Sequence, residues 1–345
     1  MTIILDKKNT FTNDIIFIDG LWGTGKSILG PIVSGMDRVE GYRLESIYEY
    51  IGALYRLDKI TKDGAIWMLR TYVDHGQYCN SIGREVNLRW WDDSGFRNSP
   101  NKLKIIKRLF CREGNSEIDE VNAKNLAYSV MSHNLMLTPD LLPLAYGKRL
   151  KVIEMVRHPL YMIKHFAAYL ARFESLREFT MAFYYEETKV PWFVKDWSAK
   201  FVRGNPMERA VLCVTRLYPW LDAELTKART SGMAVLDLSF EEAVFEVDST
   251  LKKLSLFTGR SHNPRIAVIL KRQMLPREAI FKGTGHGTYG WTKSDKSEGE
   301  MYAELLANVQ VTCSEEFQND LNKTIAWYNE KYPSPLSQYH IIDHS

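Results

Sequence analysis

Eight residues, Gly20-Leu21-Trp22-Gly23-Thr24-Gly25-Lys26-Ser27, hold the densest chemistry in this 345-residue chain. Two spaced glycines followed by a lysine and a hydroxyl residue fit a loop whose backbone N–H groups cradle phosphate at a helix start. The apolar run Ile15-Ile16-Phe17-Ile18 precedes them, and Ile28-Leu29-Gly30-Pro31-Ile32-Val33 follows. The order is strand, glycine-rich turn, helix. Gly23, Thr24, Gly25, Lys26 and Ser27 are therefore expected to hold a phosphate-bearing molecule.

Such a loop needs a sheet to carry it. Lys151 to Val156 and Met233 to Leu238 are short apolar runs ending at polar residues, the pattern of buried parallel strands, and Val39 to Leu44 is a weaker one. Helical patterns lie between them at Leu160 to Arg172 and Asp248 to Phe257, and another closes the chain at Ser314 to Tyr328. Alternating strands and helices give an α/β fold, a parallel sheet flanked by helices, with phosphate at the carboxyl ends of the strands. One domain over 1–345 is expected. Two aromatic-rich stretches, about 58–125 and 177–220, read as helical insertions that cap the nucleotide core and shape an acceptor pocket.

Later segments separate the chemistries that a phosphate loop serves. Val156-Arg157-His158-Pro159, followed by a helix through His165, resembles the 3′-phosphate-binding segment of sulfotransferases that use 3′-phosphoadenosine 5′-phosphosulfate (PAPS). In that family an Arg-x-Pro at a strand end is followed, eight positions after the arginine, by a hydroxyl residue. Arg157 and Pro159 fit; His165 stands at the eighth position. A guanidinium at a strand end and a donor two turns into the next helix clamp one phosphate dianion. Leu236-Asp237-Leu238-Ser239-Phe240-Glu241-Glu242, with the helix running on to Phe257-Thr258-Gly259, is similar to the family's strand, aromatic-acid-acid turn and Phe-x-Gly. Phe281-Lys282-Gly283 and Gly290-Trp291-Thr292-Lys293 resemble its basic-Gly…Gly-x-Trp-Lys loop over the nucleotide, with Phe281 at the place of the usual arginine. The matches run in the family's order from about Asp14 to Tyr328. In the phosphate loop the family's basic residue would fall at Gly23; Lys26 and Ser27 occupy the two threonine places, so the cation has moved.

The resemblance implies sulfuryl transfer from PAPS, leaving 3′-phosphoadenosine 5′-phosphate (PAP), to a hydroxyl or amine of a small-molecule or sugar acceptor. Arg157, His165, Lys282 and Gly283 would hold the 3′-phosphate end, and Lys26 would stabilise the leaving phosphate. Ser132-His133-Asn134-Leu135 matches the Thr/Ser-His-Leu segment of simple members, His133 lying 24 positions before Arg157. An imidazole suits removal of a hydroxyl proton. Glu45, Glu49, Asp92 and Asp93 are the competing bases, as in carbohydrate-directed members. The rival reading is a small-metabolite kinase using ATP and Mg²⁺, with Lys26 and Ser27 in the loop and Asp237 as the strand-end metal ligand.

Bulk properties exclude other classes. Net charge is +3, with 45% hydrophobic and 25% charged residues, too even to imply nucleic acid or a membrane surface. No apolar run approaches the roughly 20 residues of a membrane span. Cys79, Cys111, Cys213 and Cys313 are widely spaced and read as free thiols of a reducing, cytoplasmic compartment. His286 falls in the glycine-rich closing loop. His75, His262, His340 and His344 have no partner at ligand spacing, and no metal is expected. The acceptor and the oligomeric state stay open.

Overall fold

The computed structural model describes residues 3–339 apart from Trp91, Asp93, Pro100, Asn101, Glu113, Arg177 and 284–294. The strands are β1 (Ile15–Gly20), β2 (Arg43–Leu44), β3 (Tyr128–Met131), β4 (Leu150–Val156), β5 (Ala182–Tyr185), β6 (Thr188–Pro191) and β7 (Ala234–Ser239). The first helices are α1 (Lys26–Ser34), α2 (Ile47–Arg56), α3 (Lys62–Ser81), α4 (Lys102–Arg108), α5 (Asn115–Ala123), α6 (Leu142–Tyr146) and α7 (Pro159–Ala171). They are followed by α8 (Ser198–Arg203), α9 (Pro206–Thr230), α10 (Phe240–Phe245), α11 (Val247–Thr258), α12 (Ile266–Arg272), α13 (Glu298–Thr312) and α14 (Glu315–Lys331).

Five strands make a parallel sheet in the order β2-β3-β1-β4-β7. Every residue of β1 is buried, as its unbroken apolar run requires of a strand covered on both faces. The chain leaves β1 toward β2 and β3 on one side, then returns to β4 and β7 on the other. The strand order therefore reverses at β1, and the crevice for a ligand opens at its carboxyl end. The loop from Gly20 to Ser27 sits at that switch point.

The Val39–Leu44 expectation shrinks to the two residues of β2 and a bridge from Val39 to Ala127. Between them the N–H of Tyr42 donates to Ser34 Oγ at 2.9 Å, which takes it off the ladder. Stretch 177–220 is not uniformly helical. Ala182 to Tyr185 pair antiparallel with β6, turned by Glu186 at a φ of 53°. From Pro206 the chain becomes α9, a core helix that buries Val211, Leu212, Val214, Leu217 and Leu221. Its start is closed by a capping box between Asn205 and Glu208. Between β2 and β3, α2 and α3 pack against each other, and α5 lies along α3. Among the described residues no helix is long and apolar enough to cross a membrane, and none of the four cysteines forms a disulfide.

Candidate functional site

Gly23 and Gly25 adopt φ values of 84° and 88°, the left-handed region that favours glycine. A Cβ on Gly23 would overlap the His165 ring, and one on Gly25 would overlap the ring of Phe240. The two glycines thus let helix α7 and the start of α10 close against the loop. Thr24 is buried with its hydroxyl on the Leu21 carbonyl at 3.0 Å. Trp22 anchors the loop from below, stacked on Tyr169 with centroids 4.7 Å apart. Lys26 opens α1, whose first N–H groups have no partner within the helix and face the loop. Ser27 is exposed at that helix start.

Lys26 is 5% exposed and bends back under the loop, its Nζ donating to the carbonyls of Gly20 at 2.6 Å and Leu21 at 2.7 Å. Burial lowers its pKa, and the carboxyls of Asp19, Glu154 and Glu49 oppose that shift. Asp19 and Glu154 are register partners on β1 and β4, both buried. Asp19 Oδ1 accepts from Ser132 Oγ at 3.0 Å, and Oδ2 from the N–H of Met136 at 2.9 Å. Burial raises the pKa of both acids, that of Glu154 well above the usual range.

Ser132 and Asn134 bracket His133 and fix it. Asn134 takes a left-handed φ of 53°, donates its N–H to the Gly20 carbonyl at 3.2 Å, and donates its Nδ2 to Glu49 Oε1 at 2.9 Å. His133 Nδ1 is buried and accepts nothing. Burial, and then the Lys26 charge, push the imidazole well below its ordinary pKa, so it is neutral at pH 7. Glu49, in the first turn of α2, also accepts from Trp192 Nε1 at 2.9 Å. Burial raises its pKa to about 7 against the pull of those two hydrogen bonds. The Lys26 charge acts on both His133 and Glu49, in the direction that lowers each pKa.

On the other side of the loop stands Arg157, at the end of β4. Its Nη1 donates to the Gly23 carbonyl at 3.0 Å and lies 2.8 Å from His165 Nε2. A guanidinium only donates, so that Nε2 accepts and the ring proton sits on Nδ1. His165 therefore sets the position of Arg157. Its pKa falls well below the usual value through burial and the Arg157 charge, and the ring stays neutral. The guanidinium stacks on Phe240 at 4.2 Å, and Arg277 reaches the same ring at 5.6 Å. Burial and then the neighbouring Arg157 lower Arg277 to about 10. Glu241 holds this corner, accepting the His158 N–H at 3.0 Å and the Tyr328 hydroxyl at 2.6 Å.

The sequence-expected residues do not all converge here. Lys282 is exposed and pairs with Glu278 at 2.9 Å; the cation that this segment brings to the loop is Arg277. The backbone N–H of Arg277 is tied to the Val244 carbonyl at 2.8 Å, and its guanidinium packs over the bare Cα of Gly283. Glu45 is paired with Arg43 at 3.1 Å, and Asp92 with Arg89 on the surface at 3.3 Å. Asp93, His286, His340, His344 and the Gly290-to-Lys293 segment lie outside the described residues. Asp237 is held by Arg229 at 2.6 Å and by the Tyr332 hydroxyl at 2.7 Å. Asp19, Glu154 and Arg277 acquire their places only in three dimensions, the two acids through the β1–β4 register.

No family model and no curated protein matches the chain. Among solved structures, the sulfotransferase domain of the Synechococcus PCC 7002 olefin synthase is similar at 11% identity, covering 91% of this chain and 99% of that one with a TM-score of 0.40. The sulfotransferase domain from the curacin biosynthetic pathway is similar at 13% identity, over 94% and 100% of the two chains, with a TM-score of 0.43. Sulfotransferase STF1 of Mycobacterium tuberculosis H37Rv is similar at 14% identity, over 87% and 78%, with a TM-score of 0.38. All three are sulfotransferases, the family that the sequence segments resemble. Overlaps of this size assign no activity; the site has to do that through its own geometry.

Proposed function

We propose that this chain is a sulfotransferase that moves a sulfuryl group from PAPS to a hydroxyl or amine of a small-molecule or sugar acceptor. The supporting observation is the pair of arginines, Arg157 and Arg277, on the Phe240 ring beside the phosphate loop. A donor with a further phosphate on its ribose needs a second cationic pocket beside the loop, and these two guanidiniums would supply it. Arg277 Nε is buried with no partner of its own, an unspent donor of the kind a phosphate oxygen satisfies.

The donor supplies the sulfuryl group and departs as PAP. His133, neutral and with Nδ1 unpartnered, takes the acceptor's proton at that nitrogen. Glu49, once ionised, stabilises the imidazolium that results. The first N–H groups of α1 and the third donor of the Lys26 ammonium, beyond those on the Gly20 and Leu21 carbonyls, hold the charge that grows on the departing phosphate. Arg157, positioned by His165, and Arg277 hold the ribose phosphate. A kinase would turn a strand-end carboxylate to a metal beside Ser27, whereas Asp237 is spent on Arg229 and Tyr332.

Calorimetry of PAP against ADP with Mg²⁺ tests the reading. At 100 times its dissociation constant a ligand stabilises the fold by about 2.7 kcal/mol. Metal-independent binding of PAP tighter than ADP is expected; tighter, Mg²⁺-dependent binding of ADP would overturn it.

A further inference from the structure

We propose that His75, Cys79 and Glu85 form a zinc-type divalent metal site, apart from the phosphate loop and independent of the sulfuryl-transfer reading. His75 and Cys79 stand one turn apart on α3 and so share a face. The chain past α3 then folds back. Gly83 takes a left-handed φ of 68°, and the Arg84 N–H caps the Cys79 carbonyl at 2.9 Å. That turn brings Glu85 over the last turn of the helix. One ligand atom from each of the three residues lies within 4.8 Å of the others, and Cys79 Sγ is 3.6 Å from His75 Nε2.

These separations suit one cation. Metal–ligand bonds of about 2.0–2.3 Å in a tetrahedron put ligand atoms roughly 3.5 Å apart, so a small side-chain adjustment closes the set. Thiolate, imidazole and carboxylate together favour zinc over magnesium or calcium, which prefer oxygen donors alone. Arg43 Nη2 holds Glu85 Oε2 at 2.7 Å, leaving the other carboxylate oxygen for the cation, and so orients this ligand from behind. Glu85, with Asn80 and Arg43, also lines a cleft of about 200 Å³. Three protein ligands leave the fourth position to water. On binding, the Cys79 thiol gives its proton to solvent and coordinates as thiolate.

Cobalt(II) and zinc(II) titrations of the full chain test this, in a Cys111→Ser background that removes the exposed thiol. One Co²⁺ per chain with a thiolate charge-transfer band, displaced by Zn²⁺, is the expected result. Cys79→Ser should abolish the band. His75→Ala, at an exposed position where folding is not at stake, should weaken Co²⁺ binding at least 10-fold. Absence of the band, or a band of full strength and affinity in His75→Ala, would overturn the site.

Discussion

Arg157 Nη1 and His165 Nε2 lie 2.8 Å apart, eight residues along the chain from each other, with the Gly23 carbonyl on the same nitrogen at 3.0 Å. The contact links the end of β4, the second turn of α7 and the phosphate loop through one guanidinium. Arg157→Ala should therefore weaken PAP by about 10- to 100-fold, the worth of a hydrogen bond to a charged group, and leave ADP within a few-fold. His165→Phe should give a smaller loss of the same kind. Equal losses for both nucleotides, read by calorimetry, would remove the ribose phosphate from this corner.

Arg277 and Lys282 are separable. Arg277→Ala should cost PAP affinity about 10-fold or more, because its half-buried guanidinium shares the Phe240 ring with Arg157. Lys282→Ala loses one exposed, solvent-screened pair with Glu278, and should leave binding unchanged.

The pH profile distinguishes the roles of His133 and Glu49. His133 stays neutral well below its ordinary range, so its own ionisation does not limit activity near neutrality. Glu49, raised to about 7, gains its charge there. Turnover should rise with pH through about 7, and Glu49→Gln should flatten that limb while keeping residual activity. His133→Ala should lower kcat by about 10²–10⁴-fold across the range. A limb near 7 that survives Glu49→Gln would reassign the titration.

Glu40 staples α4 to the sheet edge. Its oxygens accept from both Arg108 Nη atoms at 2.8 Å and from Lys104 at 2.6 Å. Burial opposes its charge, but Arg108 and then Lys104 outweigh it and hold the pKa at about 2. The depressed value makes the contribution complete above the unfolded value near pH 4.5, and it fades as pH falls toward 2. Glu40→Gln leaves Arg108 buried without its partner and should cost about 3–5 kcal/mol at pH 7. The gap to wild type should narrow in acid denaturant titrations.

Glu154 works in the opposite sense. Its folded pKa is raised, by burial first and then by Asp19, so the stability it contributes is full below about pH 4.5 and declines as pH rises. Glu154→Gln, isosteric with the protonated acid, should match wild type near pH 4 and exceed it by about 1–3 kcal/mol at pH 8. Lower stability at both values, measured by urea melts, would count against a protonated Glu154.

The buried strands and the loop were legible because apolar runs of β-forming residues and positive-φ glycines leave local marks. β3 was not: Tyr128-Ser129-Val130-Met131 is too short and mixed to stand out, and its place comes from pairing with β1. Arg157 and His133 carried recognisable spacing. Arg277 carried none, since its approach to Phe240 depends on a backbone bond to Val244 that no local pattern encodes. His75 shows the same limit. The sequence reading gave it no partner at ligand spacing, yet α3 sets Cys79 one turn away and the turn at Gly83 brings Glu85 within 4.8 Å of both.

Lys26 occupies two carbonyls, those of Gly20 and Leu21, before any anion reaches the loop. An ammonium carries three N–H donors, so these two contacts leave one for an incoming anion. On the proposed reading the loop's own carbonyls hold the cation in place before the donor arrives, so little of its side-chain freedom is left to lose on binding.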